Sequence, residues 1–486
     1  MKKVSLFILL CFALVTSCSD FLKEEDKDKV IPRTVDHFLQ IMHREAFITN
    51  KMNYRTEFMT DDIEERARTS SKDKNIYKNL YTWQRDLELD ANGDNADVNV
   101  SWELAYRLIL ICNYVMENID DAIGEENEKD FVRGEAYFVR ARSYFELVNL
   151  YAKHYDAETA TTEPGVPRHL GTGVEETYTR SSVAVIYDLI EADLKESIRQ
   201  FTNSGLEKSL WHPNAETAML LLSRMYLYKS DWDNCIDYAT RVIDAKGGRL
   251  WDLKEHREGT FVNTTNPEIL HTYGDKSSLC GGGGETSIPS IYESSTGSVT
   301  YGVSADLLGI FLVGDLRADK YVKVVDGTSV PTKWLNAFTD MGAFTYRVSE
   351  AYLNRAEAYA FKNMDAEAYA DVKKVVENRV EDITKVGDIA ESGVELKRFI
   401  FNERRREFCF EGQRWYDLKR TKLFAKQIDH KFTEVNNSGA IMGTELYMLS
   451  PNDPNYVYPI PQDELDVNNV IEQNERVEKL PIKEDY

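Results

Sequence analysis

Apolar residues recur every three or four positions along most of this 486-residue chain, the spacing that places them on one face of an α-helix. The alternation of apolar and polar residues that marks a strand is scarce. Short extended pieces are expected between 260 and 345, where Gly, Ser, Thr and Pro cluster. The predicted helical segments are 34–48, 100–124, 130–154, 180–202, 214–228, 231–246, 347–362, 365–383 and 393–424. The pattern therefore predicts a mostly α-helical fold.

Three of these segments share a motif in which a small residue is followed three positions later by tyrosine, so that both lie on one helix face. The pairs are Ala141 and Tyr144, Ser223 and Tyr226, and Ala356 and Tyr359. Twelve positions after Ser223 and Ala356 the chain again has a small residue, Cys235 and Ala368. This spacing resembles that of tetratricopeptide repeats, in which small residues let paired helices pack closely. A generic helical hairpin is the alternative.

The repeat pattern predicts how the chain is organised. Stacked helical hairpins bury their faces only against one another, so several must form one scaffold. The irregular stretch 251–345 and the tail 425–486 do not follow the repeat. We therefore predict a single domain over 34–486, with a helical-repeat scaffold at 34–250 and 346–424. A loop-rich lobe at 251–345 and a C-terminal segment at 425–486 complete it.

The N-terminus has the pattern of an exported protein. Lys2 and Lys3 precede an apolar run over 4–16, which is too short to span a bilayer and suits a signal peptide. The run ends at Val-Thr-Ser-Cys18, which resembles a bacterial lipobox. We predict a lipoprotein signal peptide at 1–17, a lipid-bearing Cys18 and an acylated flexible tether at 18–33. A secretory signal without lipidation is the alternative.

The charge of the chain narrows the classes of partner. The formal net charge is −23, whereas a nucleic-acid-binding protein needs a basic footprint. Attraction to anionic lipid headgroups is disfavoured for the same reason. We expect no nucleic-acid partner, and contact with a membrane through the lipid anchor only. Cys112, Cys235 and Cys409 lie among apolar residues of helical segments and are expected to be buried, inert thiols.

One acidic loop suggests a metal site. Oxygen ligands at Asp90, Asn92, Asp94 and Asp97 would suit calcium. The EF-hand register fails, however, because position 12 of such a loop would be Asn99 rather than Glu. A solvated turn is the alternative, and a structural calcium ion is the one cofactor that the sequence suggests.

A pair of glutamates raises the question of catalysis. Glu407 and Glu411 lie four apart on a predicted helix, and two carboxylates are the groups that a glycoside hydrolase uses. Four arginines surround them in the sequence: Arg404, Arg405, Arg406 and Arg414. Nearby cations keep carboxylates ionised, the opposite of what a general acid needs. We therefore expect an ion-pair network that joins helices.

These features together resemble the SusD/RagB family of nutrient-binding outer-membrane lipoproteins of the Bacteroidetes. The resemblance runs over nearly the whole chain. It is carried by Cys18 with Asp20-Phe21-Leu22, Trp102 with Asn113, RGEAYFVRARSYFELVNLYA at 133–152, GVP at 165–167, LLSRMYLYKSDW at 221–232, YRVSEAYLNRAEAYAF at 346–361, NERRREFCFEGQRWYDLKR at 402–420 and YPIPQDELDVNNVIEQN at 458–474. Lys23 and the late Pro32 depart mildly from the family pattern.

The resemblance implies a tetratricopeptide-like scaffold that carries a variable ligand-binding lobe. It implies a non-enzymatic, lipid-anchored protein at the outer membrane, exposed on the cell surface. Such a protein captures a glycan or oligosaccharide and acts as a lid on a partner TonB-dependent transporter of the SusC type. A peptide ligand and, less favoured, a lipid-anchored glycoside hydrolase are the alternatives.

Ligand contacts are expected in two loop regions where aromatic rings lie near carboxylates and arginine, a mixture that suits the apolar faces and hydroxyls of sugars. The candidates at 54–85 are Tyr54, Asp61, Asp62, Arg68, Tyr81 and Trp83. The candidates at 290–334 are Tyr292, Tyr301 and Trp334. Core packing is the alternative for each aromatic residue.

Overall fold

A computed structural model shows a mainly helical protein, about 51% helix. It describes residues 32–48, 55–65, 71–96, 99–173, 178–258, 260–274, 300–325, 327–333, 341–342, 344–387, 389–436 and 440–484. In chain order the helices are α1 (Val35–Met42), α2 (Ser71–Tyr81), α3 (Ser101–Asn118), α4 (Glu126–Tyr151), α5 (Val183–Ser204), α6 (Ala215–Lys229), α7 (Trp232–Ala245), α8 (Ala305–Leu308), α9 (Leu316–Tyr321), α10 (Val348–Phe361), α11 (Asp365–Glu377), α12 (Gly393–Phe408), α13 (Arg414–Arg420) and α14 (Gln462–Val467).

The predicted mostly α, tetratricopeptide-like scaffold is confirmed. Helices α4 with α5, α6 with α7, and α10 with α11 pack as neighbouring pairs, and α10 also packs on α7 and α12. The small residues of the repeat motif are all buried at these helix contacts: Ala141, Ser223, Cys235, Ala356 and Ala368. Because they have little or no side chain beyond Cβ, the helix backbones approach closely. Trp232, which opens α7, stacks on Phe361 at the end of α10 with ring centroids 4.8 Å apart.

Helix ends follow the chemistry of their flanking residues. The side chains of Ser182 and Asn214 accept hydrogen bonds from the backbone N–H groups of Val185 and Thr217, so they cap α5 and α6. Gly205 ends α5 in the left-handed region, where a residue without Cβ costs least. The long helix predicted over 393–424 is interrupted after α12, where Phe410 and Gly412 have φ of 64° and 72°. The chain turns there and restarts as α13.

The strands form small antiparallel sheets. They are β1 (Ile63–Glu65), β2 (Pro164–Pro167), β3 (Arg180–Ser182), β4 (Ile269–Tyr273), β5 (Tyr301–Val303), β6 (Val322–Val325), β7 (Thr328–Pro331), β8 (Phe344–Arg347), β9 (Ile428–Val435), β10 (Ile441–Leu449) and β11 (Ile482–Glu484). Among the described residues β1 pairs with β5, β2 with β3, β4 with β8, and β6 with β7, while β10 lies between β9 and β11. Strand β1 thus joins the N-terminal part of the chain to the lobe at 251–345.

In two regions the structure has regular elements where the sequence predicts loop or no regular structure. Strands β9 and β10, the longest pair, lie outside the stretch 260–345. Strand β9 does alternate, with Ile428, His430 and Phe432 buried, but a histidine on its inner face obscures the pattern. Helix α2 occupies part of the predicted loop region 54–85, and its mean hydropathy is low because it carries three lysines. The sequence pattern missed both regions because their elements carry polar residues that mask the apolar face.

One apolar core joins the scaffold, the lobe and the C-terminal segment, with Phe38, Tyr144, Leu221, Tyr301 and Trp415 all buried in the same cluster. Cys112, Cys235 and Cys409 are buried, as expected, and burial raises the pKa of the Cys112 thiol to about 12. No helix in the described ranges is both long and apolar enough to cross a membrane. Residues 1–31, including Cys18, lie outside the described residues, so the leader, the lipidation site and the domain bounds stay predictions.

Candidate functional site

An open cleft of about 700 Å³ lies between α3, the loop that follows β2, and α14. We call it the aromatic cleft. Its lining combines aromatic rings, carboxylates and amides. It includes Trp102, Glu103, Tyr106, Arg107, His169, Tyr178, Asp463 and Glu464. A volume of several hundred Å³ is the usual size of a pocket for a small ligand.

Helix α3 supplies the floor of the aromatic cleft. Trp102, Tyr106 and Leu110 follow one another at four-residue spacing, so they share one face of the helix. The rings of Trp102 and Tyr106 lie 4.9 Å apart between centroids. The Tyr106 hydroxyl donates to the carbonyl oxygen of Pro167 at 2.8 Å, which fixes the ring against the end of β2. The hydroxyl proton is thereby engaged, and the ring is the apolar surface that Tyr106 offers a ligand.

The wall opposite α3 is a loop held from below by buried polar groups. The backbone N–H of His169 donates to the Tyr144 hydroxyl at 2.7 Å, and that hydroxyl donates to the His169 carbonyl oxygen at 2.8 Å. The Asn113 side-chain amide donates to the carbonyl oxygens of His169 and Gly171 at 3.3 and 3.0 Å. Two residues of the helical scaffold thus set the position of the loop.

The support continues one layer deeper. The side-chain oxygen Oδ1 of Asn113 accepts from the Arg140 guanidinium at 2.8 Å, and Arg140 also donates two hydrogen bonds to the Asp193 carboxylate at 2.7 and 2.8 Å. Because the guanidinium is planar, its bidentate pair with Asp193 allows little rotation. Asn113 is therefore oriented before any ligand arrives, and with it the loop.

A second aromatic pair forms the outer part of the cleft. The rings of His169 and Tyr178 lie 3.6 Å apart between centroids, and His169 also contacts Tyr106 at 5.1 Å. The Asn468 side chain donates to the Tyr178 carbonyl oxygen at 3.0 Å, so the segment after α14 holds Tyr178 in place. Both rings are only half-buried. They are the ones that a ligand in the cleft could cover.

Polar groups surround the rings. The Trp102 indole N–H donates to the Glu464 carboxylate at 3.3 Å. Glu103, Arg107, Gln462 and Asp463 stand exposed at the rim. Aromatic faces with carboxylates, amides and a guanidinium around them can stack on an apolar ring face and hydrogen-bond to hydroxyl groups. The aromatic cleft can bind a ligand that offers both.

The structure places Tyr81, Trp83 and Tyr301 in the core. They belong to a group of six rings that pack against one another, which we call the closed cluster: Phe58, Tyr77, Tyr81, Trp83, Tyr301 and His430. Trp83 and Tyr301 are fully buried, and Tyr81 is 1% exposed. Their burial favours the packing role that was the alternative at the sequence level. Tyr54, Arg68, Tyr292 and Trp334 lie outside the described residues, so as ligand contacts they stay predictions.

Asp61 and Asp62 are also buried, and each forms an ion pair with an arginine. Asp61 accepts from Arg414 at 2.8 and 2.9 Å, and Asp62 accepts from Arg405 at 2.6 Å. Although burial opposes ionisation, the guanidinium groups of Arg414 and Arg405 hold the pKa of Asp61 well below its usual value. The two aspartates therefore tie the N-terminal part of the chain to α12 and α13, which favours a structural role over ligand contact.

The expected ion-pair network at Glu407 is confirmed, although its partners differ from those that neighbour it in the sequence. Glu407 pairs with Arg379, Arg347 and Arg317 at 2.9 to 3.5 Å. Burial would raise its pKa, but these guanidinium groups keep that pKa well below the usual value.

Glu411 is held in the same way. It pairs with Arg347 at 2.6 Å and with the buried Lys333. Its pKa is lowered, because the charges of Arg347 and Lys333 outweigh the cost of burial. Arg404 and Arg406 face Asp417 and Glu403 instead. The carboxylates at 407 and 411 are thus buried, ionised and paired, a poor state for a general acid.

The loop at 90–97 is closed by its own first residue. The Asp90 carboxylate accepts the backbone N–H groups of Asn92 and Asp94 at 2.7 and 3.0 Å, the geometry of the solvated turn that was the alternative. Asp97 lies outside the described residues. Within the described ranges, no three His, Cys, Asp or Glu side chains are grouped so that they could hold a metal. The structural calcium stays a prediction.

The sequence did not single out Tyr106, His169 and Tyr178, and it used Trp102 only for the resemblance. The spacing of Trp102 and Tyr106, with Glu103 and Arg107 beside them, was a usable signal. It does not by itself distinguish a cleft floor from a core face. His169 and Tyr178 lie nine residues apart in a loop, and no local pattern brings their rings together.

Solved structures share this fold. A SusD superfamily protein from Bacteroides thetaiotaomicron aligns with a TM-score of 0.72 at 21% identity, over 91% of this chain and 100% of that chain. A structure described as a SusD-like carbohydrate binding protein from Bacteroides vulgatus aligns with a TM-score of 0.66 at 18% identity, over 91% of this chain and 98% of that chain. The class is therefore a helical-repeat protein with the SusD architecture.

Sequence comparison names the family. A family model described as starch-binding associating with outer membrane matches residues 20–227, and the SusD family model matches residues 309–476. Two proteins of Formosa agariphila are similar to this chain. SusD-like protein P2 is 23% identical over 68% of this chain and 73% of its own length, and SusD-like protein P25 is 21% identical over 97% of each. The matches together cover more than half of the chain, which belongs to the SusD family.

Proposed function

We propose that this protein binds a glycan or oligosaccharide in the aromatic cleft. The observation that carries the proposal is the half-buried ring pair of His169 and Tyr178, which lies beside the floor formed by Trp102 and Tyr106. Sugars bury their CH faces on such rings, and the rim carboxylates and Gln462 are placed to accept from or donate to their hydroxyls. Support also comes from the carbohydrate-binding descriptions of the family and of a protein with the same fold.

The proposed role is capture rather than chemistry. Glu407 and Glu411, the carboxylate pair that suggested a hydrolase, are buried and held ionised by arginines. We propose that the protein has no catalytic activity. It would hold its ligand at the cell surface as a lid on a SusC-like TonB-dependent transporter, anchored to the outer membrane through lipid on Cys18.

Affinity electrophoresis tests the site. Purified protein lacking residues 1–18 is run in native gels cast with a panel of polysaccharides, and we expect one of them to retard it. Tyr178→Ala removes the outer ring of the cleft and should weaken that retardation about tenfold, since stacking on one ring is worth roughly 1–2 kcal/mol. Tyr238→Ala, on α7 and away from the cleft, is the matched control and should leave retardation unchanged.

The same panel separates the alternatives. Release of reducing ends from the retarding polysaccharide would show a glycoside hydrolase and overturn the capture role. Retardation by none of the polysaccharides, together with calorimetric binding of peptides that Tyr178→Ala weakens, would establish the peptide alternative instead. If the polysaccharide retards the Tyr178→Ala and Tyr238→Ala variants equally, the ligand binds elsewhere in the molecule.

The anchor and the partner need a test in cells. We expect a tagged protein to partition with the outer membrane and to co-purify with a TonB-dependent transporter. A Cys18→Ala variant should lose the membrane association, because stable anchoring depends on the acyl chains. A Cys18→Ala protein that stays at the cell surface would contradict the proposed lipid anchor, whatever the result of the binding test.

A further inference from the structure

A second cleft, of about 740 Å³, opens on the other side of β3. It lies between the end of α4, the β2–β3 pair, α13 and the C-terminal segment. We call it the basic cleft, because five basic side chains line it: Lys153, His154, Arg180, Lys419 and Lys422. Four acids, Glu163, Asp453, Glu472 and Glu475, line it as well, and burial lowers the pKa of His154 to about 4, so His154 is neutral at pH 7.

Arg180 lies in the wall of the basic cleft and has no carboxylate partner among the described residues. Its guanidinium donates to the carbonyl oxygens of Gly165, Pro164, Tyr151 and Glu472 and to the side-chain oxygen of Asn474, at 2.7 to 3.2 Å. Carbonyl oxygens satisfy its hydrogen bonds, and Glu472 and Glu163 attract its charge without forming an ion pair. Burial accordingly lowers the pKa of Arg180 to about 10.

Lys419 carries a second charge of this kind. Its ammonium donates to the carbonyl oxygens of Asn149, at 2.7 Å, and Ala152, so it caps the C-terminal end of α4. An ammonium has three protons, and within the described ranges only these two acceptors are present. No carboxylate of the described residues lies within ion-pair distance, and burial lowers the pKa of Lys419 to about 7.

Two further lysines, Lys153 and Lys422, stand at the mouth with their side chains 67% and 58% exposed. They pair with Glu163 and Asp156 at 3.0 and 2.8 Å, contacts that solvent weakens. Two of the acids that line the cleft already have partners: Glu163 pairs with Lys153, and Asp453 pairs with Lys479. Glu472 and Glu475 are exposed. Glu472 and Glu163 attract the Arg180 guanidinium from a distance, but among the described residues none of the four lining acids forms an ion pair with Arg180 or Lys419.

We propose that the basic cleft binds the anionic group of a small ligand, a carboxylate or a sulfate ester such as acidic sugars carry. The anion would accept the third proton of Lys419 and hydrogen bonds from Lys153 and Lys422, and Arg180 would attract it through its charge. Charge-assisted hydrogen bonds are about twice as strong as neutral ones. This binding site is separate from the aromatic cleft and does not depend on what binds there.

Isothermal titration calorimetry with three probes tests the proposal: glucuronate, glucose 6-sulfate and neutral glucose. We expect at least one of the two anions to bind about tenfold more tightly than glucose, since one charge-assisted contact is worth about 1.4 kcal/mol more than none. Binding of only one anion shows whether the cleft prefers a carboxylate or a sulfate ester. Binding of both shows that the cleft recognises their shared negative charge. If neither binds more tightly than glucose, the proposal is overturned.

Substitutions test whether the anion binds in the basic cleft. Lys153→Gln with Lys422→Gln should weaken anion binding about fivefold, whereas Lys195→Gln with Lys254→Gln, which removes two exposed charges elsewhere, should leave it unchanged. Lys419→Met should abolish binding while Lys419→Arg retains it. If Lys419→Met does not fold, the rim pair decides alone. Equal affinity for the anion in the Lys153→Gln, Lys422→Gln protein and in the Lys195→Gln, Lys254→Gln control would overturn the proposal. Tyr178→Ala, in the aromatic cleft, should have no effect on anion binding.

Discussion

The closed cluster and the aromatic cleft are both groups of aromatic rings with a histidine, yet one is core and the other is a candidate site. In the closed cluster His430 of β9 lies 4.1 and 4.3 Å from the rings of Tyr81 and Trp83, and Tyr301 of the lobe covers Phe58. In the aromatic cleft the rings of His169 and Tyr178 contact each other but stay half-buried. The difference is whether distant strands close over the rings.

The polar atoms of the two groups show the same contrast. The Trp83 indole N–H donates to the Met59 carbonyl oxygen at 2.9 Å, and the Tyr81 hydroxyl accepts from the Glu65 backbone N–H at 3.2 Å. In the aromatic cleft the Trp102 indole N–H faces a half-buried carboxylate, Glu464, beside an exposed rim. Aromatic rings with polar neighbours in the sequence therefore mark a site only when those neighbours stay in solvent.

The largest expected effect comes from opening the closed cluster. Trp83→Ala should lower the free energy of unfolding by about 4 kcal/mol, because it leaves a large cavity and an unpaired Met59 carbonyl oxygen. Urea unfolding followed by circular dichroism measures this loss. Retardation in the polysaccharide gel should be unchanged for the folded protein. A loss below about 1 kcal/mol would show that Trp83 is not a core residue.

Next comes the ion pair that anchors the same region. Arg405 bridges Asp62 of the N-terminal part and Asp306 of α8, at 2.6 and 2.7 Å. Arg405→Met should cost about 3 kcal/mol at pH 7, because it leaves the Asp62 carboxylate buried without its counter-ion. The same unfolding measurement should show part of this loss recovered at pH 5, where Asp62 can take up a proton. A pH-independent loss would contradict the charge argument.

Glu57, beneath the closed cluster, gives a prediction about pH. Its carboxylate accepts from the Gly412 N–H at 2.7 Å, and burial together with the neighbouring Asp62 raises the pKa of Glu57 to about 8. The folded protein therefore holds a proton that the unfolded chain releases above its ordinary pKa of about 4.5. Stability is lost as the pH rises from about 4.5 to 8.

Glu57→Gln keeps the acceptor for Gly412 and removes the ionisable group. It should raise the free energy of unfolding by about 2 kcal/mol at pH 8 and change it little at pH 5. Unfolding curves at the two pH values check this, with Glu64→Gln at an exposed position of β1 as the control. Equal effects at both pH values would show that Glu57 is ionised throughout.

The smallest effect concerns the support of the aromatic cleft. Asn113→Ala removes the two hydrogen bonds that hold the loop at His169 and Gly171, and should cost about 1 kcal/mol of stability. If the loop positions the outer rings, glycan affinity should fall about fivefold as well. A loss of stability with unchanged affinity would show that Tyr144 alone sets the loop.

Much of the scaffold could be predicted because its signal is local. The three-to-four spacing marked the helices, and the small residues at Ser223, Ala356 and their equivalents identified the paired packing. Strand β9 was missed because His430 stands on its buried face. The partners of Glu407 were missed for another reason. Arg317, Arg347 and Arg379 come from α9, β8 and the segment just after α11.

By itself the sequence determined the helical class, the repeat and the resemblance to the SusD family. These depend on the spacing of side chains along the chain. Only the tertiary structure decided which aromatic residues are core and which face a cleft, because ring burial depends on strands hundreds of residues away. It alone also placed Arg180 and Lys419 in one cleft with no ion-pair partner among the described residues, since ion pairing is a property of three-dimensional neighbours.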